Sequence, residues 1–312
     1  MRKLPRSKDK EGFSAQSGGS EDGGMTAHDR PERRLGSLLV LASAVPFALS
    51  GVFTRLIAAD VWTVLCWRGL IGGLIIVAYV KWRRGAVGLP LEWRFWVLAS
   101  IGTLASIAFL FAFRLTYVAN VALIYTLVPF VAALLEWLFL GERVRREVLV
   151  TALISALGVA VIVGGGLGAP KFLGDALALA MTGLFALYTV LIRVFVGTPA
   201  VLAGAASSLQ LFVLGMIVGD PLAISAADFG LVCVFGLSFA LAAILWTEGA
   251  RRIPAAEAGL LAGAETPFAV FFAWAFLAET PPLTTITGGG IVLSAVFWRA
   301  LRDARGFSSS AR

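Results

Sequence analysis

A glutamate stands two residues ahead of a proline inside the apolar stretch Glu257–Ala278 (EAGLLAGAETPFAVFFAWAFLA). A membrane-spanning helix needs roughly 20 residues, and this stretch supplies them. Pro267 removes one helix hydrogen bond and frees a carbonyl. Lipid offers that carbonyl no partner, so the break has to face protein or a water-filled cavity. Glu265 beside it is an ionisable group at depth, which marks a functional site by default. It serves either as a partner for freed backbone amides or as a carboxylate that takes up and releases a proton. Arg68 is a second charge within an apolar run, seven residues from the start of that run. At 1.5 Å per residue it lies roughly 10 Å deep. It either snorkels back to the interface or faces a cavity, where it pairs with an acid or binds an anionic group such as a carboxylate. Phe47, Tyr125, Tyr188, Gln210 and Trp246 are the aromatic and polar residues within apolar runs that would line such a pocket. For the aromatics, plain packing competes with that role.

The elements that must position these residues are helices in a membrane. The chain has 312 residues, of which 59% are hydrophobic and only 14% charged, with a mean hydropathy of +0.88. Globular chains carry about 25% charged residues. Ten apolar runs are expected as spans: 36–57, 61–80, 95–114, 118–140, 148–167, 174–194, 200–219, 229–249, 255–278 and 284–301. The net charge of +7 does not point to nucleic acid, because the basic residues lie in short connections between runs. Of the 26 basic residues, 22 fall in the N-terminal tail, the C-terminus or connections on the tail side, including Lys81, Arg83, Arg143, Arg251 and Arg252. Arg55, Arg114 and Lys171 fall on the other side. By the positive-inside rule both termini are cytoplasmic. Residues 1–34 are polar and read as a disordered cytoplasmic tail, not a signal peptide, with Met25 as a second candidate start. Residues 304–312 read as a cytoplasmic C-terminal tail.

Sliding the chain along itself by 138 positions superposes Phe47-Ala48-Leu49 and Arg55 on Phe185-Ala186-Leu187 and Arg193. It also places Arg114 on Arg252 and Pro129-Phe130 on Pro267-Phe268. Five crossings per copy is an odd number, so the second copy is inverted. The expected fold is an all-α membrane protein of ten transmembrane helices, with five-helix repeats over 35–167 and 174–303. Inverted repeats are a hallmark of secondary transporters whose site lies near the midplane. Three of the twelve prolines, Pro46, Pro129 and Pro267, fall near the middle of a run. They are either kinks satisfied by neighbouring helices or helix breaks that open backbone toward a shared cavity and help gate it.

This organisation resembles the drug/metabolite transporter superfamily, and specifically its EamA-type members, over about residues 35–303. The resemblance is carried by Val128-Pro129-Phe130 through Leu140-Gly141-Glu142-Arg143 and by Thr266-Pro267-Phe268 through Leu277-Ala278-Glu279-Thr280. Arg68 is similar to an arginine often found in the second span of the family. Ala278 stands where the exit motif has glycine, and Ser50-Gly51 where the first span often has tryptophan-glycine. The resemblance implies export of small organic metabolites, such as amino acids or drug-like amphipathic compounds, across the inner membrane by alternating access. Arg68 would anchor an anionic group, and Glu265 would carry the proton if transport is coupled. Uncoupled facilitated diffusion and a passive channel stay open as alternatives.

An integral-membrane enzyme is the remaining class, and its signatures are missing. The single histidine, His28, lies in the tail. Gly164-Gly165-Gly166 is not followed by the lysine of a phosphate loop, and Gly236-Leu237-Ser238-Phe239-Ala240, with an elbow-like spacing, lies inside a run. No cofactor or metal is expected; the partners are a small-molecule substrate and the lipid bilayer. Glu142 and Glu279 are expected to cap the starts of the fifth and tenth helices, and Glu136 and Glu248 to pair with Arg143 or Arg251. Cys66 and Cys233 read as buried, unpaired thiols. Gly69/Gly73, Gly215/Gly219 and Gly259/Gly263 make small-xxx-small pairs for close helix packing.

Overall fold

The computed structural model describes residues 29–85, 90, 92–141, 146–164, 171–195, 197–250, 252, 261 and 263–309. Most of these residues are helical, and there is no strand among them. In order the helices are α1 (Asp29–Leu56), α2 (Val61–Arg84), α3 (Trp93–Leu115), α4 (Val118–Tyr125), α5 (Val128–Leu140) and α6 (Arg146–Gly164). There follow α7 (Phe172–Val194), α8 (Ala200–Val218), α9 (Ala226–Ala250), α10 (Glu265–Leu277) and α11 (Leu283–Ser309). Seven segments are long and apolar enough to cross a membrane, α4 and α5 counting together as one; Leu149–Gly164, Glu265–Leu277 and Leu283–Ala295 are shorter apolar helices. Helices suit this chain because each satisfies its own backbone where no water is available.

Three expectations change. α1 begins at Asp29 and α11 runs to Ser309, so the inner ends of both expected tails, 29–34 and 304–309, are helical. The run 118–140 is two helices, not one. Thr126 and Leu127 donate their backbone N–H groups three residues back, to Leu123 and Ile124, and Thr126 Oγ1 donates to the Leu123 carbonyl at 2.6 Å. Pro129 therefore sits in the first turn of α5, and Pro267 in the first turn of α10. A proline's missing N–H costs little there, because first-turn donors have no intrahelical partner anyway. Only Pro46 lies within a continuous helix.

Helix pairing is set by contact between distant parts of the chain. α2 packs on α8, α1 on α9, α3 on α7 and α6 on α11; α2 also meets α9, α3 meets α8, α1 meets α10, and α7 meets α4 and α5. The expected glycine packing is present at the α2/α8 contact. A Cβ on Gly69 would come 2.4 Å from the Ser208 carbonyl oxygen, and one on Gly215 2.6 Å from that of Trp62. The pair Gly259/Gly263 lies partly outside the described residues.

α5 ends on Gly141 and α10 on Ala278, both left-handed, with φ of 67° and 50°. Ala278 is the sole non-glycine residue with positive φ among the described residues, so the missing motif glycine leaves a strained alanine. A left-handed L-residue costs roughly 1–2 kcal/mol, while glycine adds back about 0.4–1 kcal/mol of unfolded-chain entropy. Ala278→Gly is therefore expected to stabilise the fold by up to about 1 kcal/mol. A lower melting temperature for that variant would contradict this account.

Candidate functional site

Where α1, α3, α4, α7 and α10 converge there is a small cavity of about 20 Å³, lined among others by Phe47, Tyr125, Glu265, Thr266 and Met181. That is room for about one water molecule. Glu265 occupies the first turn of α10, where the helix dipole favours a carboxylate, and it makes no ion pair among the described residues. Thr266 beside it is buried and donates to the Ala122 carbonyl of α4 at 3.5 Å. Pro46 lies one residue before Phe47, and its carbonyl accepts a hydrogen bond from Ser238 Oγ of α9 at 3.3 Å. The elbow-like serine is thus a helix–helix contact.

Arg68 is 3% exposed, which rules out snorkelling. Its guanidinium carbon lies 5.2 Å from the centre of the Phe235 ring and 4.8 Å from that of Phe239, both on α9. Its Nε is buried without a hydrogen-bond partner among the described residues. Stacking on aromatic faces offsets part of the cost of burying a cation, but no acid among the described residues neutralises it. Phe239 also meets Phe47 edge-on, with centroids 6.3 Å apart, which joins Arg68 to the cavity wall.

The other proposed pocket residues lie elsewhere. Tyr188 adjoins Phe185, which meets Tyr125 edge-on, but its hydroxyl donates to the Ala200 carbonyl at 3.4 Å. Gln210 Oε1 accepts from Thr103 Oγ1 at 2.6 Å, tying α8 to α3. Trp246 packs against Val40, as does Leu261. The cavity thus brings together Phe47, Tyr125 and Glu265, with Arg68 one ring away. Phe235 and Phe239 were not singled out from sequence because the chain holds 22 phenylalanines. Their spacing of four on one helix, opposite Arg68, is visible only once α2 and α9 are paired.

Charged clusters tie the helices together at both ends of the bundle. At one end Arg55 donates to the carbonyls of Arg114 and Thr116, at 3.3 and 2.7 Å, and Arg114 donates to those of Ile57 and Ala59, at 2.6 and 2.8 Å. Each arginine thereby serves carbonyls at the end of the other's helix, which lack intrahelical donors. Glu279 does not cap α11 as expected. Its carboxylate instead accepts from the backbone N–H of Val118, at the start of α4, and lies 3.8 Å from Arg55. Burial pushes this carboxyl above its ordinary range, opposed by Arg55, the Val118 N–H and Lys171. An open cleft of about 260 Å³ lies between Arg55, Tyr117, Leu277 and Glu279.

At the opposite end Glu248 accepts from Tyr79 and pairs with Arg83 at 3.3 Å and Arg252 at 2.8 Å. The expected partner Arg251 lies outside the described residues, as do Glu142, Arg143, His28 and Met25. Cys66 is buried as expected, whereas Cys233 is only half-buried; neither is in a disulfide.

Among the described residues, seven segments long and apolar enough to span a bilayer, with buried charge beside a small cavity, point to a multi-pass membrane protein. Residues 34–164 match the EamA-like transporter family, which lies within the drug/metabolite transporter superfamily. Its members are transporters. Among solved structures 27 chains match. One crystal structure, 20% identical in sequence, is similar with a TM-score of 0.62 over 85% of this chain and 96% of its own. At that identity the likeness speaks for the fold. No curated protein matches the chain.

Proposed function

We propose that this transporter is a secondary carrier that exports small organic metabolites bearing an anionic group, by alternating access across the inner membrane. Arg68 receives the anionic group, Phe47 and Tyr125 contact the apolar part, and Glu265 is the carboxylate through which a proton would couple. The observation that carries this reading is Arg68: a buried cation with a nitrogen that has no partner among the described residues, one ring away from the cavity. Such a charge calls for an anion, and a substrate can bring it.

The carrier crosses the membrane ten times as two inverted repeats, 35–167 and 174–303, with both termini cytoplasmic. Helix pairing supports this. The 138-residue shift carries α1, α2, α3 and α6 onto α7, α8, α9 and α11, and α4 with α5 onto the α10 region. Under that exchange the α1/α9 contact becomes α7/α3, α2/α9 becomes α8/α3, and α2/α8 and α6/α11 map onto themselves. The main pairs exchange with one another, as a two-fold relation would have them do.

Two experiments test the proposal. Cysteine placed at Lys81 and at Lys171 should be labelled from opposite sides of the membrane; labelling from the same side would end the inverted-repeat reading. In liposomes, uptake should saturate and show counterflow, whereas a channel would conduct without counterflow.

A further inference from the structure

Asp175, in the first turn of α7, is completely buried. Its Oδ1 accepts from Thr116 Oγ1 at 2.6 Å and from Asn120 Nδ2 at 3.0 Å, whereas its Oδ2 is buried with no partner among the described residues. Asn120, the only asparagine in the chain, accepts in turn from Thr285 Oγ1 at 2.5 Å. The cluster therefore joins the α3–α4 connection, α4, α7 and α11. Buried polar atoms nearly always find a partner, and a carboxylate oxygen taken out of water without one is costly.

Neighbouring cations do not fill the gap. Arg55 donates to the Thr116 carbonyl and faces Glu279, so that pair cancels its own charge. Arg114 is spent on the Ile57 and Ala59 carbonyls. Lys171, at the N-cap of α7, holds its Nζ 3.1 Å from the centre of the Tyr117 ring. Asp175 is left as the uncompensated charge.

We propose that Asp175 Oδ2 is a ligand of a site for one alkali-metal ion, Na⁺, completed by the lone pairs that remain on Thr116 Oγ1, Asn120 Oδ1 and Thr285 Oγ1. Hard cations choose oxygen donors of this kind. The donors come from both sequence halves, so an ion bound here favours the arrangement in which the halves meet, and its loss favours separation. The site is independent of the role given to Arg68.

The test is thermal unfolding of the purified full-length protein in NaCl against choline chloride, at equal ionic strength and neutral pH. A ligand that prefers the folded state raises the melting temperature. The expected result is a rise that saturates with Na⁺, is lost in Asp175→Asn and is retained in Arg68→Ala. If Asp175→Asn does not fold, Thr285→Ala keeps the carboxylate and should move the Na⁺ titration to higher concentration. No Na⁺-specific shift in the native protein would mean that water alone fills the gap and would overturn the proposal. So would an equal shift in Asp175→Asn, or stabilisation by acidification in Na⁺-free buffer in place of Na⁺.

Discussion

Arg68→Ala is expected to lower the rate of substrate uptake into vesicles at least tenfold while the protein still folds and inserts. Truncating one partner of a buried, hydrogen-bonded charge pair costs about 2–5 kcal/mol, and each 1.4 kcal/mol is about tenfold in affinity. The same change takes an uncompensated cation out of the apolar interior, so the folded state does not lose what transport loses. Arg68→Lys separates charge from shape. Lysine keeps the charge but loses the planar fork and much of the stacking on Phe235 and Phe239, so it should restore transport only in part. Glu265→Gln is the companion variant, and a coupled carrier should lose pH dependence with it. Unchanged uptake in both Arg68→Ala and Glu265→Gln would remove the site assignment.

The second large effect belongs to the α6/α11 contact. A Cβ on Gly158 would stand 2.6 Å from the Gly288 carbonyl oxygen, and a Cβ on Gly288 2.4 Å from that of Gly158. Alanine in a helix interior is intrinsically favoured over glycine by about 1 kcal/mol. Here the atoms in the way are backbone, which cannot swing aside, and overpacking costs about 1–3 kcal/mol. The clash wins. Gly288→Ala should lower the melting temperature in detergent, and Gly158→Ala/Gly288→Ala should be worse than either single variant. By contrast Gly164, on the same helix, meets nothing within 4 Å, so Gly164→Ala should be neutral or stabilising.

Much of this was legible beforehand because membrane helices announce themselves. Every one of the ten apolar runs contains helix at its described positions, and the scarcity of arginine and proline in such runs made Arg68, Pro46 and the 138-residue shift visible. What sequence could not give was direction around each helix. Gln210 and Trp246 satisfied every compositional test for a pocket, yet one ties α8 to α3 and the other packs beside Val40. Glu279 was assigned to the helix that follows it because the dipole rule looks along the chain. The helix it serves, α4, is 161 positions away. Asp175 escaped notice beside an interface, where an acid at a helix start looks ordinary. Its lone asparagine neighbour was the available signal.

The cavity has implications for selectivity. With space for about one water molecule, no metabolite fits unless Phe47 parts from Phe239 and α1 yields against α9. Discrimination by bulk would then reflect the stiffness of helix packing more than the outline of a ready-made hole. Solutes of equal charge and increasing girth should slow gradually, with no abrupt size limit.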